Sequence, residues 1–452
     1  PQYLLTALSL GEDGDLDISD ERSEGRYRPF HEAPLPVQAA MLPGGRRVSP
    51  HDPLLPVLLA VPVALGGWVG AKVSMALMTG ALAALLAWTA VCRLEVPLTT
   101  ALLVVATFAL SPPLAVYGTQ VYPELPAALA VAAAITALTG PLGAAGVTGL
   151  GAAVVALPWL AVKYVPVAAV LALLGLARMK KRGDPLLVVP FASAMAVAGA
   201  IYLAAHQALY GGWTPYAAGD HFAGGEWGAI GFTPDLWGRS TRLMGLLMDR
   251  TFGLAAWQPG YLLLVPAVAA LLRRRPAGWK ALALPLGAGW LAATFLALTM
   301  HGWWWPGRQV VVVLPAAVLA VAWWAGRLPR VRPWLLLALL VGSASYAFLL
   351  VEGVLGRLTW VVAFEETSNP LYRAWRLLLP DYRGGGRSTW VLHAVWIGLL
   401  GLLANPPAVQ WVWASLRHLL GSPNSFQEAS HDQPPCAHRG GPASALRRLR
   451  TR

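Results

Sequence analysis

The sequence predicts an all-α fold: a polytopic transmembrane helical bundle of about eleven spans, with outer-face loops and one interfacial helix. Three observations carry that expectation. Of 452 residues, 56% are hydrophobic and only 12% are charged, against about 25% charged in soluble domains. Apolar runs of about 20 residues, each enough to cross a bilayer as a helix, recur down the chain. The Lys and Arg residues, which give a formal net charge of +12, concentrate in short loops between the runs and in the C-terminal tail. That is the distribution the positive-inside rule describes, so the basic balance is not read as nucleic-acid binding. Cys92 and Cys436 both fall on the expected cytoplasmic side, and no structural disulfide is expected.

Residues 1–52 read as a polar outer loop. Its first half is acidic, with Glu12, Asp13, Asp15, Asp17, Asp20, Glu21 and Glu24. The sequence opens Pro1-Gln2-Tyr3, without an initiator Met or a signal peptide. A loop on the outer face needs a span to deliver it, so one more span is expected upstream, for about twelve in the complete chain. Leu54 to Gly67 is apolar but short, and it carries Pro56 and Pro62. It reads as a helix lying at the interface, or as a re-entrant piece. Spans are expected at about 71–92, 98–116, 123–140, 142–159, 161–177, 185–205, 252–272, 281–300, 309–325, 334–352 and 389–404. Basic residues mark the inner ends: Arg93, Arg178 to Arg182, Arg273 to Arg275 with Lys280, and Arg327 to Arg332. Polar segments 206–250 and 353–388 share the outer side with 1–52. The chain thus divides into 1–70, outer loop and interfacial helix; 71–405, transmembrane domain; and 406–452, a basic cytoplasmic tail expected to be disordered. Gly140, Gly143 and Gly146 suit close helix packing. No Walker A sequence, no G-x-G-x-x-G after a strand and no internal repeat is present.

The polar clusters lie on one side, whereas a transporter lines a path through the midplane. The stretch Thr119-Gln120-Val121-Tyr122-Pro123-Glu124-Leu125-Pro126 separates two apolar runs, so Glu124 marks the tip where one span turns into the next. A carboxylate facing lipid costs roughly 2.5–3.5 kcal/mol at a helix centre and less near the interface, so Glu124 reads as functional and facing a wet cavity. The plain alternative is a solvated loop acid. Lys163 reads as a phosphate contact or, more simply, as a lysine snorkelling to the interface. In Ser49-Pro50-His51-Asp52-Pro53-Leu54, His51 and Asp52 are candidates to bind substrate, although Asp52 before Pro53 has the ordinary reading of a helix cap. Asp220-His221 and Glu226 sit in a Gly-rich loop that reads as a lid or a substrate loop. That loop lacks H-x-x-x-H or H-x-E spacing, which argues against a metal there. Arg250 comes after Met248-Asp249, and Arg308 closes the run His301-Gly302-Trp303-Trp304-Trp305-Pro306-Gly307-Arg308. Both stand at headgroup depth, and guanidinium suits bidentate contact with phosphate. The three tryptophans read as an interfacial belt, compatible with stacking on sugar.

The order of these pieces resembles the GT-C glycosyltransferases, such as the dolichyl-phosphate-mannose protein mannosyltransferases and the aminoarabinose transferases of lipid A. The likeness spans nearly the whole chain but rests on short motifs. Pro1-Gln2-Tyr3 looks like the residues just after the family's Asp or Asp-Glu pair, so the main catalytic acid would lie upstream of Pro1. Ser49 to Leu54 resembles the family's Pro-Pro-Leu or His-Pro-Leu element, and Tyr122-Pro123-Glu124 its second acidic motif. Lys163 resembles a lysine two spans later, while Arg308 is assigned by chemistry alone. The resemblance implies sugar transfer from a polyprenyl-phosphate donor to a lipid, glycan or protein acceptor, at the outer face of the cell membrane. Glu124 is then the catalytic residue within this sequence. Tyr3, His51, Asp52, Tyr122, Lys163, Asp220, His221, Arg250, His301 and Arg308 are the expected substrate contacts. No cofactor and no metal ligand set is implied, and dependence on a divalent metal stays open. The rival class is a transporter or flippase of a lipid-linked saccharide. A third is an assembly protein without chemistry.

Overall fold

The chain begins with a helix rather than a loop. The computed structural model describes residues 1–39, 41–42, 44–183, 185–219, 225–231 and 234–405. In it α1 spans Gln2–Glu12 and buries Tyr3, Leu4, Leu5 and Ala7. These apolar residues needed a cover, and α3 (Leu54–Leu94) supplies it. Gly11 lies so close to the Ala60 carbonyl that a Cβ there would approach it to 2.9 Å. The expected polar loop 1–52 is corrected accordingly over residues 2–12. The acidic residues begin at the last residue of this helix, Glu12, and α2 (Ser19–Ser23) is a single turn among them.

α3 has two arms. Gly66 and Gly67 leave helical geometry, with Gly67 at φ 57° and ψ −149°, a conformation that glycine adopts freely and other residues do not. The first arm is the apolar stretch expected at the interface. The second is the first expected span.

The remaining helices come in order. α4 is Leu98–Ala109, α5 Leu114–Tyr117, α6 Glu124–Thr139, α7 Ala144–Leu160, α8 Val165–Arg182 and α9 Pro185–Tyr210. α10 is Leu236–Ser240, α11 Arg242–Met248, α12 Leu254–Trp257, α13 Leu264–Arg274 and α14 Trp279–Leu291. α15 is Leu314–Gly326, α16 Arg332–Val354, α17 Pro370–Trp375 and α18 Arg387–Ala404. The fold is all-α among the described residues, with two isolated bridges, Asp17–Val48 and Ala39–Gly219.

The helices are consistent with a multi-pass membrane bundle, but the span count is corrected. Among the described residues, six helical segments are long and apolar enough to cross a membrane: Leu54–Leu94, Val162–Arg182, Leu186–Ala218, Trp279–Leu296, Pro329–Val354 and Arg387–Ala404. Four more apolar helices have only 10–17 residues. Hydropathy counts apolar residues, whereas a span needs an unbroken helix. The run at 98–116 ends as a helix at Ala109, before Ser111-Pro112-Pro113. The run at 252–272 is broken at Gln258-Pro259-Gly260 into α12, a 3₁₀ turn and α13. Proline removes a backbone donor and clashes with the preceding turn. Irregular backbone at such depth must be satisfied by protein, and Gln258 does this. Its Nε2 donates to Thr107 O (2.9 Å), Ser111 Oγ (2.8 Å) and Ala338 O (3.1 Å), and its Oε1 accepts from the Gly260 N–H (3.0 Å).

The helix ends sort by charge. Arg178 donates to Gly140 O (2.6 Å) and to Leu138 O, and Arg182 to Leu142 O (2.9 Å). Arg93 lies against Gly140, and Arg273 donates to Ala404 O (2.5 Å). Arg178 and Arg182 satisfy carbonyls at and just beyond the C-terminus of α6, and Arg273 one at that of α18, where the helix dipole is negative. Long loops, tyrosines and carboxylates gather at the opposite helix ends. Pro1–Asn405 form one compact unit. Residues 406–452, with Cys436, lie outside the described residues.

Candidate functional site

Pro123 caps α6, so Glu124 enters its first turn, where the helix dipole favours an anion. Glu124 is fully buried. Its Oε1 accepts from Lys163 Nζ at 2.7 Å and from Arg308 Nε at 2.8 Å. Each cation is aimed by a local break in the chain. α7 ends at extended Ala161, and Lys163 sits in the 3₁₀ turn Val162–Tyr164 before α8. Arg308 comes directly after Gly307, whose φ of 83° suits glycine and where a Cβ would approach Leu254 to 2.8 Å. The Arg308 guanidinium then lies 4.6 Å from the Tyr122 ring centroid and 5.1 Å from that of Trp304.

Two cations share one carboxylate, so these three residues carry one net positive charge, and the nearby carboxylate of Asp52 balances it. The side chains of Lys163 and Arg308 are 28% and 18% exposed, against 0% for Glu124. The cations therefore form the accessible face and the carboxylate the floor. Among the described residues, Glu124 is the carboxylate partner of both. Its Oε2 is buried without a hydrogen-bond partner.

A second buried carboxylate adjoins this group. Asp52 Oδ1 accepts from Tyr202 OH (2.9 Å) and lies 3.0 Å from His206 Nε2. Its Oδ2 accepts from the Val162 N–H (2.9 Å). Asp52 thereby fixes the turn that presents Lys163. The helix-cap reading of Asp52 is corrected, because the N-cap of α3 is Pro53 and no side chain caps it. The snorkelling reading of Lys163 is corrected by its bond to buried Glu124. Tyr3 packs with its ring centroid 4.6 Å from His51 and 6.4 Å from Tyr122. His51 Nδ1 is 2.9 Å from Ser49 Oγ, and its carbonyl accepts from Tyr210 OH (2.9 Å). The structure thus gathers Tyr3, His51, Asp52, Tyr122, Glu124, Lys163 and Arg308, drawn from α1, α6 and four connections.

Arg250 and His301 belong to a different cluster. Arg250 Nη1 is 3.3 Å from Asp381 Oδ2. His301 packs edge-on to Phe252, with ring centroids 4.9 Å apart. The centre of this cluster is Asp249, which is fully buried. Its Oδ1 accepts from the N–H groups of Thr251 (2.9 Å) and Phe252 (2.7 Å), and its Oδ2 from that of Tyr382 (3.1 Å). Burial pushes the Asp249 carboxyl above its ordinary range and the His301 imidazole below its own, while their mutual attraction opposes both shifts. Asp249 pins the loop after α17 to the start of α12. Asp220 and His221 lie outside the described residues; Glu226, from the same loop, accepts from the Thr214 N–H (2.6 Å). The tryptophan belt divides. Trp303 is 73% exposed, but Trp305 is buried, 4.8 Å from Trp257 and 5.3 Å from Phe364 between centroids.

Sequence reasoning missed Tyr202 and His206. Tyr202 and His206 are four apart on α9, hence on one helix face, but nothing local tied that face to Asp52. Away from these clusters, the segment after α1 brings carboxylates of Asp13, Asp20 and Glu21 within 4.8 Å of one another, a grouping compatible with a metal ion. Compared with known proteins, the chain matches no family model, no curated protein and no solved structure.

Proposed function

We propose that the chain is an integral membrane glycosyltransferase that moves a sugar from a polyprenyl-phosphate donor to an acceptor on the face away from the cytoplasm. The observation that carries this reading is the pair of partly exposed cations, Lys163 and Arg308, that Glu124 holds side by side. Arg308 spends only its Nε–H on Glu124 and Lys163 one of its three N–H groups, so donors remain for phosphate oxygens. Tyr122 and Trp304 flank the guanidinium and offer ring faces beside it.

In the reaction, an acceptor oxygen or nitrogen bonds the anomeric carbon while that carbon's bond to the phosphate oxygen breaks. The electron pair leaves on the lipid phosphate, and a base takes the acceptor's proton. Lys163 and Arg308 stabilise the charge as it develops on the leaving phosphate. No acid is needed to protonate a leaving group that is already a phosphate. Glu124 holds both cations through Oε1 and so fixes where they stand for the phosphate.

The test is incubation of the full-length protein in liposomes with labelled polyprenyl-phosphate sugars and a mixture of envelope acceptors. Transfer of label with release of free lipid phosphate is the expected result. Movement of intact donor across the liposome without release would replace transfer by transport.

A further inference from the structure

We propose that Asp13, Asp20 and Glu21 form a calcium-type divalent-cation site that ties the end of α1 to α2. This inference is independent of the glycosyltransferase reading. One carboxylate oxygen from each residue lies within 4.8 Å of the other two. Calcium takes oxygen ligands at 2.3–2.6 Å, so two ligands on opposite sides of one ion stand about 5 Å apart at most, and the spacing admits it. The donor set is all carboxylate, which suits a hard cation rather than zinc or copper.

The second observation is Glu21 itself. Its side chain is 2% exposed, and both of its carboxylate oxygens are buried without a hydrogen-bond partner. A buried, unpartnered carboxylate beside two others is expensive unless something positive joins them. The cations nearby are engaged elsewhere. Arg26 bonds Glu12 (2.6 Å) and lies 3.8 Å from Glu24, while Arg22 donates to Leu35 O (2.8 Å) and Pro36 O (3.3 Å).

The other acids of the loop serve the fold. Asp15 Oδ1 accepts from Ser9 Oγ (3.0 Å) and the Asp17 N–H (2.9 Å). Asp17 Oδ1 accepts from Ser19 Oγ (2.6 Å) and the Arg47 N–H (3.0 Å). Asp13, Asp20 and Glu21 are left as a set. Asp13 is also the C-cap of α1, where the helix dipole is negative and attracts a cation. Because α1 carries Tyr3 to the Glu124 group, a cation here would hold that helix in place from its far end.

The rival occupant is a proton: a protonated carboxyl carries no charge, so proton and cation compete for the same oxygens.

The experiment uses the full chain in detergent, stripped with chelator, with calcium or magnesium chloride added at pH 5 and at pH 8. Expected is a rise in apparent Tm at pH 8, half-maximal at about 0.1–1 mM calcium as in extracellular modules, with less response to magnesium and less at pH 5. Glu21→Gln removes the buried charge and keeps the shape. It should unfold at a higher temperature than chelated wild type and lose the calcium response. Asp13→Asn, at an exposed position, serves if that variant does not fold and should also lose the response. A wild type that gains stability from acid but nothing from calcium holds a proton, and the site is withdrawn. A calcium shift that persists in Glu21→Gln and Asp13→Asn likewise overturns it.

Discussion

At the scale of single residues, the decisive fact is that Glu124, Lys163 and Arg308 act as one group. Glu124→Gln keeps the volume and removes the charge that holds two cations. Breaking a buried pair costs about 3–5 kcal/mol when the partner stays buried; here both cations retain some solvent, so a loss of about 1–3 kcal/mol is expected. Turnover should fall at least about tenfold, because the cations then face the phosphate unaligned. Arg308→Lys keeps a charge but loses the planar fork and the contact with both rings. Its KM for donor should rise while kcat survives at high donor concentration. Transfer rate against donor concentration, with thermal unfolding in parallel, measures both. Wild-type values throughout would remove Glu124 and Arg308 from the site. Glu124 and Arg308 were legible in the sequence as charges at the edges of apolar runs. Their direct bond was not, because 184 positions separate them.

Elements are defined here by how the chain breaks helices. Two glycines in α3 give a clean contrast. Gly67 has φ 57° and ψ −149°, and a Cβ added there would meet nothing within 4 Å. Gly67→Ala is therefore pure backbone strain and should destabilise the protein by about 1–3 kcal/mol. Gly80 lies in the regular second arm, also with nothing within 4 Å of an added Cβ. Gly80→Ala should be neutral or stabilising by up to about 1 kcal/mol. Thermal unfolding of the two variants in one detergent decides it; equal losses would mean that the break at Gly66-Gly67 is not held in solution. The same logic explains the span count. Hydropathy located the apolar material, while Pro and Gly decided which stretches became long helices.

For the whole molecule, the two ends of the bundle carry opposite chemistry. Arg178, Arg182 and Arg273 bond carbonyls at one end, with Arg93 against Gly140. The Glu124 and Asp52 groups lie with the long loops at the other. A reporter fused after Arg182 should register the cytoplasm, and one fused after Gly225 the opposite side, since α9 runs between them. Both reporters on one side would overturn this topology.

The sequence by itself determined the membrane character, the all-helical class and the charge-sorted ends. These depend on composition and on where Lys and Arg fall, quantities that survive any arrangement of the helices. It also marked Glu124 and Arg308, because a charge at the edge of an apolar run stands out without neighbours. Tertiary structure alone decided the partners. Asp52 turned from a helix cap into the acceptor of Tyr202 and Val162, with His206 beside it; Lys163 turned inward; Arg250 was drawn to Asp381; and residues 2–12 became a buried helix. Local preference is worth tenths to about one kilocalorie per residue. A buried carboxylate left unpaired costs several, so pairing across the fold overrides what each segment prefers alone.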